Sequence, residues 1–172
     1  MAFSNWPWQY SFPPFFTIQP NIETRAKQLE AWRGLVLDYH RALKQAVLDV
    51  SEAERSELFN NTKLQRKLPT EGIIQVLESL AKNGNAEPCN KARTRWYIYW
   101  HTLPEWADKM YTWAQETGQT NSVCTLYEII NASDQDFYGL NEEVVKKALH
   151  VLERKQKAEL ILDGENSGVK FF

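Results

Sequence analysis

Apolar residues recur at three- and four-residue steps once the chain passes Pro20. Leu29, Trp32, Val36, Tyr39, Leu43 and Val47 share one face of a helix that Asn21 or Thr24 can cap and that runs to about Val50. Ser51 opens a short second helix to Leu58, with Glu52 and Glu54 in its first turn, where the helix dipole favours carboxylates. Asn60-Asn61 is a turn signal. Pro69-Thr70 starts a third helix that buries Ile73, Leu77, Leu80 and Ala81, and Asn83-Gly84 stops it. A strand pair follows at 86–89 and 95–100, joined by the polar, basic turn 90–94, and Pro88 is admissible there only at an edge.

The same order then returns. Pro104 begins a fourth helix carrying Trp106, Met110 and Trp113, and Gly118 closes it. Thr125 and Glu128 have capping-box spacing for a short fifth helix, and 131–136 is a polar, acidic loop. Asn141 caps a sixth helix with Glu142 and Glu143 in its first turn, Leu140 is placed to staple against Val145, and Val145, Ala148, Leu149 and Leu152 form the buried face. A hairpin at 158–162 and 169–172 turns at Gly164 and Gly168. One gap-free offset lays Leu68 on Leu140, Ile73 on Val145, Leu77 on Leu149, Leu80 on Leu152 and Tyr99-Trp100 on Phe171-Phe172. A slightly larger offset lays Trp32, Val36 and Tyr39 on Trp106, Met110 and Trp113. The repeating unit is a whole domain of helix, short helix, helix and two-stranded wing. The predicted fold is α+β and mainly helical: two tandem winged-helix domains, residues 21–101 and 102–172.

Residues 1–20 fit neither copy. They hold Phe3, Trp6, Trp8, Tyr10, Phe12, Phe15 and Phe16, and no charge occurs before Glu23. Pro7, Pro13, Pro14 and Pro20 remove backbone donors and push the preceding residues toward extended or polyproline II geometry. Such a segment cannot cover its own rings, each of which contributes on the order of 2 kcal/mol when buried. Two readings stand side by side: an extended docking arm for a partner's aromatic-lined groove, or an arm folded back over its own domain. A signal peptide is not expected, since there is no positive start and no continuous aliphatic core.

Composition narrows the chemistry. The 172 residues are 43% hydrophobic and 24% charged, ordinary for a folded domain pair, with a formal charge of −2. No stretch approaches the roughly 20 apolar residues of a transmembrane helix. Cys89 and Cys124 make no metal spacing and read as reduced, intracellular thiols, with a single disulfide between them as the second option. His40, His101 and His150 are isolated, and no phosphate-cradling glycine loop is present, so neither a metal, a cofactor nor a catalytic group is expected. Winged helices often bind DNA, but the third helix carries Glu71 and Glu78 against Lys82, and Glu142 and Glu143 start the sixth, where carboxylates repel phosphate. The nucleic-acid alternative rests on the first wing, Lys91, Arg93 and Arg95, with Lys63, Arg66 and Lys67 nearby.

Particular motifs go further. Trp6-Pro7-Trp8-Gln9-Tyr10, Phe12-Pro13-Pro14-Phe15-Phe16, Phe59-Asn60-Asn61, 64–69, Thr125-Leu126-Tyr127-Glu128 and Gly168-Val169-Lys170-Phe171-Phe172 resemble the family of small subunits of the endosomal ESCRT-II complex, across essentially the whole chain. Residues 88–94 depart most from that pattern, and nothing is carried over to them. The resemblance implies two tandem winged helices in a Y-shaped complex holding two copies of this subunit and one of each larger subunit. It implies that Pro13, Pro14, Phe15 and Phe16 dock in the larger subunits, with Trp6 and Trp8 as flanking anchors. It implies recruitment of the initiating ESCRT-III subunit by the second domain, in sorting ubiquitinated membrane proteins to multivesicular bodies. The protein would be cytoplasmic and reach the endosomal membrane only through partners. The acidic residues Asp134, Asp136, Glu142 and Glu143 are the candidate ESCRT-III surface; the plainer reading is that they solubilise a loop and start a helix.

Overall fold

The computed structural model describes residues 2–172. Its chain divides into two units, the first ending at Trp100 and the second running His101–Phe172. In the first, α1 (Ile22–Leu43) starts where Asn21 Oδ1 accepts from Thr24 N at 3.0 Å, and it packs on α3 (Thr70–Lys82). Between them come β1 (Val47–Asp49), α2 (Val50–Ala53) and a minimal hairpin of β2 (Asn60–Asn61) and β3 (Arg66–Lys67). β4 (Ala86–Pro88) and β5 (Arg95–Ile98) complete an antiparallel sheet in the order β1-β5-β4, with Val47 opposite Tyr97 and Ala86 opposite Ile98. Pro88 sits on the edge strand, where its missing N–H costs no ladder bond.

The second unit repeats this plan. Its elements are α4 (Leu103–Glu116), β6 (Val123–Thr125), α5 (Leu126–Ile130), α6 (Glu142–Arg154), β7 (Ala158–Ile161) and β8 (Gly168–Phe171). α4 packs on α6, and the sheet order is β6-β8-β7. Both units are winged helices. The repeat extends to single hydrogen bonds: Asp49 Oδ1 accepts from Glu52 N, and Thr125 Oγ1 from Glu128 N, both at 3.1 Å. Trp32, Phe59, Leu77 and Trp96 are fully buried in the first core, and Trp106, Phe137, Leu149 and Phe171 in the second. Among the described residues no helix is long and apolar enough to cross a membrane.

Four expectations shift. The first helix stops at Leu43, not Val50, because Lys44 turns left-handed at φ 53° and residues 47–49 are claimed by β5. Asp49, not Ser51, caps the second helix, which is over by Ala53. Each wing has a third strand, β1 or β6, that three-residue segments without alternation do not announce. The buried stripe of α1 is also rotated: Gln28, Trp32, Leu35, Val36 and His40 face inward, while Leu29 and Tyr39 are half-covered. Two polar side chains therefore lie on the inner face, and both are satisfied.

His40 is one of them. Its Nδ1 lies 2.6 Å from the Gln45 carbonyl, which makes Nδ1 the protonated nitrogen. Burial pushes its pKa down from 6.5 to about 4, against a smaller opposing effect of that carbonyl. Below pH 6.5 the unfolded chain takes up a proton that the folded domain refuses. Its contribution is therefore fully present above 6.5 and is lost as pH falls toward 4. The expected loss is on the order of 3 kcal/mol over that window. Urea unfolding of the parent and of His40→Leu from pH 7.5 to pH 5 checks this: the parent's midpoint falls with acid, and the variant's falls distinctly less.

Candidate functional site

The arm is ordered. Extended backbone at Pro7 (φ −73°, ψ 163°), Phe12 and Thr17 alternates with two 3-10 turns, Trp8–Ser11 and Pro13–Phe16. The expected extended geometry thus survives only at the joints. Proline at the start of the second turn leaves no donor stranded, which is why Pro13-Pro14 is compatible with it.

The arm lies on its own domain, and side chains of that domain hold it. Gln28, nearly buried on α1, donates from Nε2 to Phe15 O at 3.0 Å and Thr17 O at 2.8 Å, with a longer contact to Pro14 O at 3.4 Å. Its Oε1 accepts from Gln19 N at 3.0 Å. Trp32 Nε1 donates to Phe15 O at 2.9 Å, and Asn61 Nδ2 to Tyr10 O at 2.7 Å. The Tyr10 hydroxyl donates to the Glu57 carbonyl, and burial, with the Glu57 charge beside it, pushes the phenol up to about 12. Gly72 on α3 leaves room for the arm's Ile18: a Cβ there would stand 2.7 Å from Leu68 Cδ1 and 3.3 Å from Ile18 Cγ1.

The rings divide into two sets. Phe15 stacks on Trp32 with centroids 4.1 Å apart and planes 4° off parallel, and Phe16 meets the same indole edge-on at 5.5 Å. Phe15 and Phe16 are 4% and 1% exposed. Trp6 is half-buried, stacked on Tyr10 at 4.0 Å with Phe3 at its edge. Trp8 and Phe12, by contrast, are 70% and 48% exposed and lean on each other at 5.7 Å. Pro13 and Pro14 are exposed between them and the buried pair. Of the expected docking residues, Trp8, Pro13 and Pro14 therefore face outward, and Phe15 and Phe16 belong to their own core. Gln28 and Lys27 carry no motif in the sequence, and Phe12 and Asn61, legible there as an arm ring and a turn residue, are not legible as part of the site. A glutamine set among the apolar repeats of α1 was the available signal for Gln28.

The acidic residues of the second unit separate as well. Asp134 and Asp136 line a shallow groove of about 350 Å³ with Asp108, Lys109 and Thr112. Asp136 is paired to Lys109 at 2.9 Å, and His101 lies 3.9 Å away. Glu142 and Glu143 do not line it. They occupy the first turn of α6, where Asn141 Oδ1 accepts from Glu143 N and Val144 N, and Glu143 pairs with Lys146 at 3.4 Å.

On the first wing, Arg93 is bonded to Glu78 at 3.2 Å and lies over the Trp96 ring at 5.9 Å, which blunts its use toward phosphate. Cys89 and Cys124 are free thiols, and burial pushes that of Cys124 up to about 12. Among the described residues no group of three or more His, Cys, Asp or Glu is gathered to hold a metal.

Fold and surface together define a tandem winged-helix protein whose outstanding feature is an ordered aromatic face at its N-terminal end. The chain belongs to the ESCRT-II complex subunit family, whose sequence profile matches residues 9–141. It is 51% identical over 176 aligned positions to vacuolar protein-sorting-associated protein 25 of Homo sapiens, with 100% of both chains covered. A crystal structure of subunit VPS25 of the endosomal trafficking complex ESCRT-II matches with a TM-score of 0.85 at 28% identity, covering 95% of this chain and 97% of that one. A chain in the crystal structure of the endosomal complex ESCRT-II (VPS22/VPS25/VPS36) matches at 0.82 and 28% identity, covering 96% and 98%.

The two sets of rings predict two kinds of variant. Phe15→Ala removes a stacked, fully covered ring and lowers the stability of the first domain by about 3–5 kcal/mol. Trp8→Ala, which removes an exposed ring, changes stability by less than about 0.5 kcal/mol. Thermal and urea unfolding of the two variants against the parent measure both.

Proposed function

We propose that this chain is a non-enzymatic ESCRT-II subunit that joins the two larger subunits through its N-terminal arm. Two copies enter each complex beside one copy of each larger subunit. The second winged helix recruits the initiating ESCRT-III subunit, and the assembly sorts ubiquitinated membrane proteins into multivesicular bodies. The protein is cytoplasmic and reaches the endosomal membrane through its partners. The three-part domain reading, an arm at 1–20 and winged helices at 21–101 and 102–172, belongs to this proposal.

The observation that carries the docking reading is the exposed pair Trp8 and Phe12, held outward by an arm whose backbone is clasped from below. A soluble chain gains by covering large rings, so two rings kept rigidly in water favour a partner that covers them. The arm's order is already present in the free chain, and docking then freezes little further backbone. The 51% identity over the whole length of the human relative, with the likeness to a chain of the VPS22/VPS25/VPS36 complex, supports the same kind of partners. Among the proposed docking residues, Phe15 and Phe16 act from beneath as the arm's seat, while Trp6, Trp8, Pro13 and Pro14 remain available to the partner. The acidic residues Asp134, Asp136, Glu142 and Glu143 are proposed for the ESCRT-III contact, since such a surface suits a basic partner helix.

Two measurements test this reading. In binding to the purified larger subunits, Trp8→Ala/Phe12→Ala loses at least about thirtyfold in affinity at unchanged melting temperature; parent-like binding removes the arm from the interface. For the second domain, Glu142→Lys/Glu143→Lys, with its folding verified, weakens binding of the initiating ESCRT-III subunit at low salt. Unchanged affinity there discards the acidic surface.

A further inference from the structure

A groove runs between the arm and α1. Trp8, Phe12, Pro14 and Phe15 form one wall, and Thr24, Lys27 and Ala31 stand on the other. Its volume is about 520 Å³, inside the range of roughly 300–1,000 Å³ typical of pockets that seat a ligand group. Both walls are built before any partner arrives. Gln28 at the floor spends its amide protons on arm carbonyls, and Gln19 spends its own on Pro14 O and Thr17 O. Those amides spend their donors on the arm and so hold the groove open.

Lys27 differs. It is exposed, and among the described residues it is the only formally charged one lining the groove and makes no ion pair. Glu23 and Glu30 share its helix but do not line the groove. The cavity therefore combines aromatic and aliphatic walls with one cation, a chemistry suited to an apolar side chain carried close to a carboxylate.

We infer that the groove is a receptor: it takes an apolar side chain of a larger subunit, seated between Trp8, Phe12 and Ala31, with a neighbouring Asp or Glu of the same segment meeting Lys27. This inference rests on the docking reading and extends it. The arm is then not only a ligand for the partner's pockets; with α1 it also forms a pocket of its own, and the interface interlocks in both directions. Trp8 serves both roles, since its exposed ring is at once a protruding anchor and a wall of the groove. The electrostatic half of the contact gives partner choice and association rate more than strength.

The test uses the full chain and the purified larger subunits. Ala31→Phe fills the groove from the helix side and leaves every arm residue unchanged. Thr24→Trp blocks its mouth from an exposed position and serves where Ala31→Phe lowers the melting temperature. Lys27→Glu reverses the charge. Affinities are measured at about 50 and about 300 mM salt. Filling should weaken binding about thirtyfold at both salts. Charge reversal should weaken it about tenfold at low salt and less at high salt, where exposed charges are screened. If Trp8→Ala weakens binding while the filled and charge-reversed variants bind like the parent, the receptor groove is wrong and the docking arm stands. If Trp8→Ala also binds like the parent, the docking reading falls and takes the groove with it.

Discussion

Trp32 is the point at which the first domain and its arm become one structure. Its ring is fully buried between Phe15, Phe16 and Phe59, and its one donor goes to the Phe15 carbonyl. Gln28, one turn earlier on the same helix, donates to that same carbonyl and to the carbonyl of Thr17. Apolar attraction alone would hold two phenylalanines against an indole in many arrangements. The hydrogen bonds select one, because a buried indole N–H or primary amide left unpaired costs more than the bond itself gains. The arm is therefore a component of the core and not a tail tethered to it.

That arrangement explains how one short segment presents rings outward without collapsing. An unsupported peptide containing Trp8 and Phe12 would fold them onto the nearest apolar surface. Here Phe3, Phe15 and Phe16 already occupy that surface. The 3-10 turns at Trp8–Ser11 and Pro13–Phe16 then carry the intervening rings to the outside. Pro13 and Pro14 suit this because proline limits the conformations the chain must give up. Affinity in such a design comes from a surface prepared in advance, with little left to order on contact.

The second domain uses the same scaffold differently. Its helix and strand order match the first, and Trp106 stands where Trp32 does. What differs lies outside the shared frame: it has no aromatic arm, and its loop before α6 is acidic and partly neutralised by Lys109. A duplicated fold with divergent surfaces is a simple route to one chain with two partners. The fold itself says nothing of which partner each face takes.

Much of this was present in the order of residues. The registers of α3, α4 and α6, the caps at Thr125 and Asn141, the start of α1 at Asn21 or Thr24, the paired strands at the end of each domain and the repeat all follow from local periodicity and local hydrogen bonding. Segments a few residues long suffice for those. The tertiary structure alone decided the rest. Val47–Asp49 became a strand because a partner fifty residues away claimed it, and no local pattern records a distant partner. His40 and Gln28 turned inward because other segments came to cover that side of α1. Of two adjacent aromatic groups in the arm, one went into the core and one stayed in water. Periodicity states which residues an element will bury once it is covered; what covers it, and what a ring finds there, is settled only when distant parts of the chain meet.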